Sequence, residues 1–427
     1  MKRVLIIAYH YPPRPGVASN RIGGLAKYLP AYGWESVILT TPLNEGNWAP
    51  YAKVVETSYT SVSDKIKNIF GMKTEVGLQQ QLGIKQPGRN IFFNWCIAKF
   101  KEIVDYPDEF RTWISIAVQE GKKLIKEEKI DAIISSSPPV STHLIASQLS
   151  QEQQIPWIAD LRDLWTQNHY YNYSYLRLLF ERALEYNTFR QASALVTVSE
   201  PLVENLKKIH QGKKVYCITN AFDTDEMRVE DYKTEKFLIT HTGQIYYNKR
   251  NPLMLLEVIK ELLKDGCIDK QKIELRFYGP YNYLLQKQIE EIGLTQQVFQ
   301  HGIIKRELVL EKQRESSVLL LLRWDDPNEL GVYTGKLFEY LAARRNILSI
   351  GGPGGVVDSL LQSTNAGVHV KNKRELKEIL LRWYREFKQY GEPIYTPVQK
   401  NVMEYTQVNM AKKFAEVLNA NVKHFKL

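Results

Sequence analysis

Short apolar runs rich in β-branched residues recur along this chain and alternate with stretches of helical periodicity. Strands that alternate with helices over such lengths are typical of crossover units, so the pattern predicts parallel sheets with helices on both faces. The runs form two series, VLIIAY, SVILTT, DAIISSS, WIADL, ALVTVS and VYCITNA, then FLITHTG, KIELRFYG, VFQHGII, SVLLLLRW, NILSIGG and GVHV. The expected fold class is α/β, with two doubly wound domains.

A polar, charge-rich segment, DTDEMRVEDYKTEK at residues 223–236, separates the two series. It has neither a strand run nor apolar periodicity, which is typical of a linker. We therefore predict one domain over residues 1–222 and a second over residues 237–395. Residues 396–427 carry apolar positions at helical spacing and predict closing helices.

The charge balance suits an anionic partner. The 427 residues include 57 Lys and Arg against 47 Asp and Glu, a formal net charge of +10. This excess does not choose among phosphate, nucleic acid and an acidic lipid surface, but no nucleic-acid reader motif occurs, so none is expected as a partner. Cys96, Cys217 and Cys267 lie too far apart for a disulfide framework or a zinc site, which predicts a reducing compartment.

Any contact with a membrane should be peripheral. The apolar run Val4 to Ala8 is too short for a signal peptide and fits a buried first strand, and no apolar run reaches the length of a membrane span. Residues 60–125 lack a clear strand and are rich in basic and aromatic residues, as in RNIFFNWCIAKFK at 89–101. Such a segment fits a membrane interface or, more commonly, a helix packed on its own domain with a solvated basic face.

The run YTGKLFEYLAARRNIL, from residue 333 to 348, predicts a helix that begins near Thr334 and leads into a strand. The first turn of a helix presents unpaired amides and a positive dipole end, so Thr334, Gly335 and Lys336 suit a diphosphate. Glu339, one turn further, can accept two hydrogen bonds from a ribose diol. An equally weighted alternative is a surface glutamate paired with an arginine at helical spacing.

A second candidate anion site is HTGQIYYNKRNP, at the end of the first strand of the second series. Gly243 permits a close turn after the strand, and Lys249 and Arg250 follow it. Open α/β sheets bind ligands at the carboxyl ends of their strands. Taken alone, an exposed basic loop is the commoner explanation.

The first series also places polar residues at strand ends. Asp160, Arg162 and Asp163 in WIADLRDLWT face a cleft or pair with one another. His143 in SSPPVSTHLIA is as consistent with a packing histidine as with a catalytic one.

Together these motifs resemble the family 4 glycosyltransferases of the GT-B fold, especially bacterial enzymes of capsule, exopolysaccharide and lipopolysaccharide assembly. The resemblance implies two Rossmann-like domains that face a central cleft, an N-terminal acceptor domain and a C-terminal nucleotide-sugar donor domain. It also implies that the closing helices at 396–427 pack back on the N-terminal domain. The motifs, in order, are HYPPRPGVASNRIGGLAKYL, SSSPPVSTHLIA, WIADLRDLWT, ITNAFD, HTGQIYYNKRNP and YTGKLFEYLAARRNIL.

The resemblance also assigns roles to residues. Glu339 matches the ribose-binding glutamate, while Gly331 stands where the family has another glutamate, with Glu329 two residues earlier, and Gln244 stands where an arginine is usual. Lys249 or Arg250 matches the diphosphate-binding pair, and Gly16, with Arg14 or Arg21 nearby, matches a loop that approaches the donor. The implied donor site comprises Gly16, Gly243, Lys249, Arg250, Tyr278, Ile303, Thr334, Gly335, Lys336 and Glu339. The implied catalytic set is Lys249, Arg250, Asp160 and Asp163, and the implied acceptor contacts are Arg162 and His143.

The implied reaction transfers a sugar from a nucleotide diphosphate sugar to a hydroxyl of a saccharide or lipid-linked saccharide in cell-surface polysaccharide synthesis. Retention, independence of metals and cofactors, and a cytoplasmic location at the inner face of the cell membrane are implied with it, as is peripheral contact with acidic lipid. Two alternatives stay open. One is a nucleotide-sugar epimerase of similar fold, against which the basic region 60–125 argues. The other is a non-catalytic subunit of a polysaccharide assembly complex, which the replaced glutamate and Gln244 favour.

Overall fold

The computed structural model describes residues 1–43, 51–59, 105–171, 173–227, 232, 234–246 and 249–425. The chain forms two compact units. The first comprises Met1–Thr219 and Met410–Leu427, and the second comprises Asn220–Asn409.

The first unit is built on a parallel sheet in the order β3-β2-β1-β4-β5-β6-β7. Its strands are β1 (Lys2–Ala8), β2 (Trp34–Thr40), β3 (Lys53–Glu56), β4 (Ala132–Ser137), β5 (Trp157–Leu161), β6 (Ala194–Thr197) and β7 (Val215–Cys217). Its helices in the described residues include α1 (Val17–Tyr28), α2 (Trp113–Glu127), α3 (Ser141–Gln153), α4 (Tyr175–Phe189) and α5 (Glu200–Ile209).

The second unit is also built on a parallel sheet, in the order β10-β9-β8-β11-β12-β13. Its strands are β8 (Phe237–Thr242), β9 (Ile273–Tyr278), β10 (Val298–Gly302), β11 (Val318–Leu322), β12 (Asn346–Ile350) and β13 (Gly367–Val370). The helices that follow β8 are α6 (Leu253–Lys264), α7 (Tyr283–Ile292), α8 (Arg306–Arg314), α9 (Gly335–Ala343), α10 (Gly355–Thr364), α11 (Lys373–Tyr390), α12 (Gln399–Met403) and α13 (Gln407–Phe425). Short 3₁₀-helices lie at Leu29–Tyr32, Thr224–Glu226 and Pro327–Gly331.

The predicted α/β class and both strand series are confirmed. Each predicted run forms a strand; the inner strands are apolar and are buried by helices on both faces of a parallel sheet, whereas the edge strands β7, β10 and β13 are only partly buried. The prediction omitted β3, whose sequence KVVE lies at a sheet edge with all four side chains at least partly exposed. A short edge strand lacks the apolar run on which the prediction relied.

The unit boundaries differ from the predicted ones, which were residue 222 and residue 396. Phe222 pairs with Thr406 in an isolated parallel bridge, and its amide donates to the carbonyl of Tyr405 at 3.0 Å. Phe222 also shares a core cluster with Val402 of α12. These contacts place 220–222 and 396–409 in the second unit, so only the part of α13 from Met410 onwards packs with the first unit.

Each sheet reverses its strand order at one point, between β1 and β4 in the first unit and between β8 and β11 in the second. The carboxyl ends of the strands at such a reversal form the usual ligand crevice of open parallel sheets. Gly243 directly follows β8, and Arg323 and Trp324 directly follow β11. Within the described residues, no helix combines the length and apolar character needed to cross a membrane.

Candidate functional site

The N-terminus of α9 lies beside the strand reversal of the second sheet. Thr334 is its N-cap residue, with extended backbone, but its side chain makes no capping hydrogen bond. The Thr334 hydroxyl oxygen is buried without a hydrogen-bond partner. The side chain therefore does not cap the helix, and the backbone amides at this helix end still favour anionic oxygens.

Lys336 packs against Gly243. The Gly243 backbone has φ +108°, in the region that favours glycine, and a Cβ atom there would lie 2.7 Å from the Lys336 Nζ atom. Burial and the neighbouring Arg250 guanidinium lower the pKa of Lys336 to about 8. A partly desolvated ammonium at a helix N-terminus is a strong attractor for phosphate oxygens.

Of the two basic residues that follow β8, Arg250 is the one whose charge acts on Lys336. The Arg250 charge lowers the pKa of Lys336 and also that of the buried His241. The Lys249 ammonium lies over the ring of Trp324, 3.8 Å from its centroid. The charge of Arg250 therefore acts on Lys336, whereas Lys249 makes a cation–π contact with Trp324.

Glu339 lies one turn after Lys336 and is only partly exposed. Its Oε1 atom accepts a hydrogen bond from Arg306 Nη1 at 2.8 Å, and its Oε2 atom lies 3.5 Å from Gln313 Nε2. Arg306 Nη2 also donates to Glu226 at 3.0 Å. The arginine partner comes from α8 and not from helical spacing within α9, so sequence reasoning missed Arg306. Only the packing of α8 beside α9 reveals it.

Tyr340 anchors α9 to the sheet. Its hydroxyl accepts a hydrogen bond from the Thr242 amide at 3.2 Å and donates to the carbonyl of Leu320 at 3.3 Å. Gln313 donates to the Thr242 hydroxyl at 2.9 Å. Because these groups are buried, they hold the helix turn that carries Lys336 and Glu339 in a fixed position above the strand ends.

Of the implied donor contacts Tyr278 and Ile303, one is buried and the other is exposed. The Tyr278 ring is buried and stacks on His301, with centroids 4.7 Å apart. Ile303 is 78% exposed. Between them the Gly279 amide donates to the Gly302 carbonyl at 2.8 Å. At this end of the sheet His301 and Ile303 are exposed, whereas Tyr278 is buried.

Glu329 does not replace the glutamate that Gly331 lacks. It is buried within the 3₁₀-helix Pro327–Gly331. Its carbonyl accepts a hydrogen bond from the buried Arg323 at 3.1 Å, and Arg323 also donates to the carbonyl of Gly354 at 2.8 Å. The carboxyl group of Glu329 is therefore not presented to a ligand.

In the first unit, Asp160 is a structural group. Its two carboxylate oxygens accept hydrogen bonds from Arg21 at 3.0 and 2.8 Å, and Ser136 donates to it at 2.8 Å. Arg21 also donates to the carbonyls of Ile218 and Thr219, at 3.0 and 2.8 Å. Both side chains of the ion pair are fully buried. The predicted catalytic role for Asp160 is corrected, because neither Asp160 nor Arg21 has surface to offer a substrate.

Arg162 and Asp163 are differently placed. Arg162 is partly exposed, and its hydrogen bonds to described residues are long, to the Ser136 hydroxyl at 3.3 Å and the Pro138 carbonyl at 3.4 Å. Asp163 is exposed, and within the described residues it forms no ion pair with Arg162. The mutual pairing considered from the sequence is not formed. Burial, and then the charges of Arg162 and Arg14, lower the pKa of the nearby His10 to about 4.

The loop between β1 and α1 leaves the backbone at Gly16 open to a ligand, as the resemblance implies. Gly16 is exposed with φ +111°, and no heavy atom lies within 4 Å of the position that its Cβ would occupy. A ligand can therefore approach this backbone. Arg14 instead braces the loop, because it donates to the Thr41 hydroxyl at 2.8 Å and to the Pro42 carbonyl at 2.6 Å.

His143 is a packing residue. It has no exposed surface, its Nδ1 lies 2.7 Å from the Ser135 hydroxyl, and its ring contacts the Phe189 ring edge-on, with centroids 5.1 Å apart. Burial lowers its pKa to about 3. The predicted acceptor contact is corrected, because an uncharged, enclosed imidazole cannot reach a ligand.

Comparison with known proteins agrees with this architecture. Residues 91–226 match the model of Glycosyltransferase Family 4. No curated protein sequence matches the chain. Among solved structures, Anabaena HepE in complex with UDP and glucose is similar, with 12% identity, a TM-score of 0.62, and coverage of 98% of this chain and 100% of that one. Sucrose-phosphate synthase from Thermosynechococcus elongatus has 12% identity, a TM-score of 0.65, and coverage of 98% and 99%.

A third similar structure is WaaG, a glycosyltransferase involved in lipopolysaccharide biosynthesis, with 12% identity, a TM-score of 0.56, and coverage of 97% and 99%. The likeness extends over nearly the whole chain, whereas the family model matches the segment from residue 91 to residue 226. The chain therefore has the GT-B fold, and the resemblance to family 4 glycosyltransferases indicated by its motifs is confirmed.

Proposed function

We propose that this glycosyltransferase-like protein transfers a sugar from a nucleotide diphosphate sugar to a hydroxyl of a saccharide or lipid-linked saccharide. One observation carries the proposal: Lys336 lies against Gly243 at the N-terminus of α9, where the charge of Arg250 acts on it, with Glu339 one turn further along. This spacing of cations, helix amides and a carboxylate suits a diphosphate followed by a ribose. HepE, which has the same fold, was solved with UDP, so a uridine nucleotide is the first donor to test.

In the proposed reaction, the bond between sugar C1 and the β-phosphate oxygen breaks as the acceptor oxygen bonds to C1. The acceptor proton passes to an oxygen of the departing phosphate on the same face, which gives retention. Negative charge then grows on the diphosphate. Arg250, Lys336 and the amides of α9 supply preorganised positive charge, so the step requires no metal or cofactor. Lys249, which lies over the ring of Trp324 directly after β11, adds a third cation.

We place the acceptor contacts in the first unit, at Arg162 and Asp163 after β5. Both are accessible, and neither is committed to an ion pair with the other. Asp163 can accept a hydrogen bond from a sugar hydroxyl, and Arg162 can bind a phosphate or a hydroxyl. Synthesis of a cell-surface polysaccharide at the cytoplasmic face of the membrane follows as part of the proposal, and the role of WaaG in lipopolysaccharide synthesis supports it by analogy.

A non-catalytic nucleotide-binding subunit is the second candidate. It is favoured by one observation: the first glutamate of the family's pair has no counterpart that a ligand could reach. Gly331 has no side chain, and Glu329 is buried. We expect backbone amides between Gly331 and Gly335 to contact the donor sugar instead.

The test is calorimetric titration of the protein with UDP, GDP and ADP, followed by assay of donor hydrolysis. We expect selective binding of one nucleotide and a loss of tenfold or more in Glu339→Ala, roughly the value of a hydrogen bond to a charged group. Glu378→Ala, an exposed glutamate on α11, is the matched control and should bind normally. Binding without turnover of any donor would favour the non-catalytic subunit, and no binding at all would contradict both candidates.

A further inference from the structure

The Arg306 guanidinium lies between two carboxylates, and each of them accepts from one of its terminal nitrogens. Nη1 donates to Glu339 Oε1 at 2.8 Å, and Nη2 donates to Glu226 Oε1 at 3.0 Å. An arginine that pairs with a single carboxylate commonly binds both of its oxygens through two parallel hydrogen bonds. Because Arg306 is shared, it occupies only one oxygen of Glu339.

The second oxygen of Glu339 is only weakly engaged. Among the described residues its hydrogen-bond donor is Gln313 Nε2, which lies 3.5 Å away, at the limit of a hydrogen bond. This amide is already committed to the Thr242 hydroxyl, at 2.9 Å. A carboxylate has about four acceptor positions, so Glu339 can still accept hydrogen bonds from both hydroxyls of a ribose.

The position of Arg306 in its helix also points to this pairing. It is the first residue of α8, and Lys305 is the N-cap residue. Positive charges are unfavourable at the N-terminus of a helix, because the helix dipole is positive there. The stability of α8 therefore does not account for an arginine at this position, whereas two carboxylates from other elements do.

Glu226 and Glu339 compete for this one cation. Glu226 is partly exposed and ends the 3₁₀-helix Thr224–Glu226. Burial raises the pKa of Glu226, the charge of Arg306 lowers it, and the charge of Glu339 raises it further. Loss of Glu226 would free Nη2 of Arg306 to turn to Glu339. Glu226 thus limits the share of Glu339 that the arginine occupies.

We propose that Arg306 is a positioning residue for ribose recognition and that Glu226 acts on the same contact through Arg306. Held at one oxygen, the Glu339 carboxylate keeps a single orientation and leaves its other oxygen to the 2′- and 3′-hydroxyls of the ligand. An acceptor that is fixed before the ligand arrives lowers the entropic cost of binding. The inference rests on the proposed function, because it takes Glu339 as the ribose contact, and it adds the two residues that set the strength of that contact.

Calorimetric titration of the full chain with UDP and 2′-deoxy-UDP tests this assignment, because the ratio of the two dissociation constants measures recognition of the 2′-hydroxyl. GDP and ADP, each with its 2′-deoxy form, are titrated in the same way. The wild type should prefer the ribonucleotide about tenfold or more, as a hydrogen bond to a charged group implies. Arg306→Gln should weaken the ribonucleotide about fivefold and the 2′-deoxy form less, so that the preference narrows. Arg306→Lys keeps the charge but not the paired nitrogens, so it should restore only part of the preference.

Glu226→Ala should also narrow the preference, because Arg306 can then bind both oxygens of Glu339. The same substitution in the Arg306→Gln background should have no further effect, since Glu226 acts through Arg306. The matched control is Arg374→Gln, which breaks an exposed ion pair with Glu378 on α11 and should keep the wild-type preference.

Thermal melting of each variant reports a general loss of stability, which by itself leaves the preference for the ribonucleotide unchanged. Three results would overturn this inference alone: tighter ribonucleotide binding in Arg306→Gln, an unchanged preference in that variant, or an effect of Glu226→Ala that persists without Arg306. Failure of the wild type to bind UDP, GDP or ADP would overturn it together with the proposed function.

Discussion

The ammonium nitrogen of Lys336 lies 2.7 Å from the position that a Cβ atom on Gly243 would occupy. The glycine at the end of β8 therefore does two things: it adopts a positive φ and it leaves space for the lysine of α9. Gly243→Ala should displace Lys336 and strain the turn by roughly 1–3 kcal/mol. We expect nucleotide affinity to fall about tenfold and the melting temperature to fall as well. Gly266→Ala, at a positive φ with open space around it, is the control for backbone strain alone.

Nucleotide affinity should depend on pH through Lys336. Its pKa is lowered to about 8 by burial and by Arg250, so the free protein loses this ammonium as the pH rises through about 8. The diphosphate binds the charged form, so affinity should be full below that pH and should decline above it. Calorimetry between neutral and alkaline pH checks this. Lys336→Gln should bind weakly and show no such decline, and a decline that persists in the variant would assign it to another group.

Tyr340→Phe should destabilise the second unit. The substitution removes the hydroxyl that bridges the Thr242 amide and the Leu320 carbonyl, and both are buried. An unsatisfied buried backbone group costs about 1–3 kcal/mol, so the free energy of unfolding should fall by that amount. Denaturant unfolding measures it. Tyr390→Phe, at an exposed tyrosine, should leave the stability unchanged.

Asp160 and Asp163 should respond differently to the same change. Asp160→Asn breaks a fully buried ion pair with Arg21 and should cost about 3–5 kcal/mol of stability. Asp163→Asn alters an exposed carboxylate and should preserve the melting temperature while it lowers turnover with acceptor. Melting and steady-state kinetics on both variants separate the two roles. An unchanged melting temperature in Asp160→Asn would contradict its structural assignment.

Much of the architecture follows from the sequence because it depends on local patterns. Burial on both faces makes a parallel strand a continuous apolar run, so β1 or β11 can be recognised from a few adjacent residues. Turns are also indicated by a few adjacent residues. Gly243 marks the end of β8, and Lys249 and Arg250 follow it. The short edge strand β3 could not be recognised in this way, because its partly exposed residues form no continuous apolar run.

The partners of charged side chains depend on contacts between residues far apart in the sequence. Nothing near Asp160 indicates that Arg21, 139 positions away, occupies both its oxygens, or that Arg306, 33 positions from Glu339, holds its carboxylate. The sequence by itself determined the strands, the turns and the residue types available for an anion site. Only the tertiary structure decided which charges are paired inside the protein and which are left for a ligand, because burial and distance arise from packing between elements.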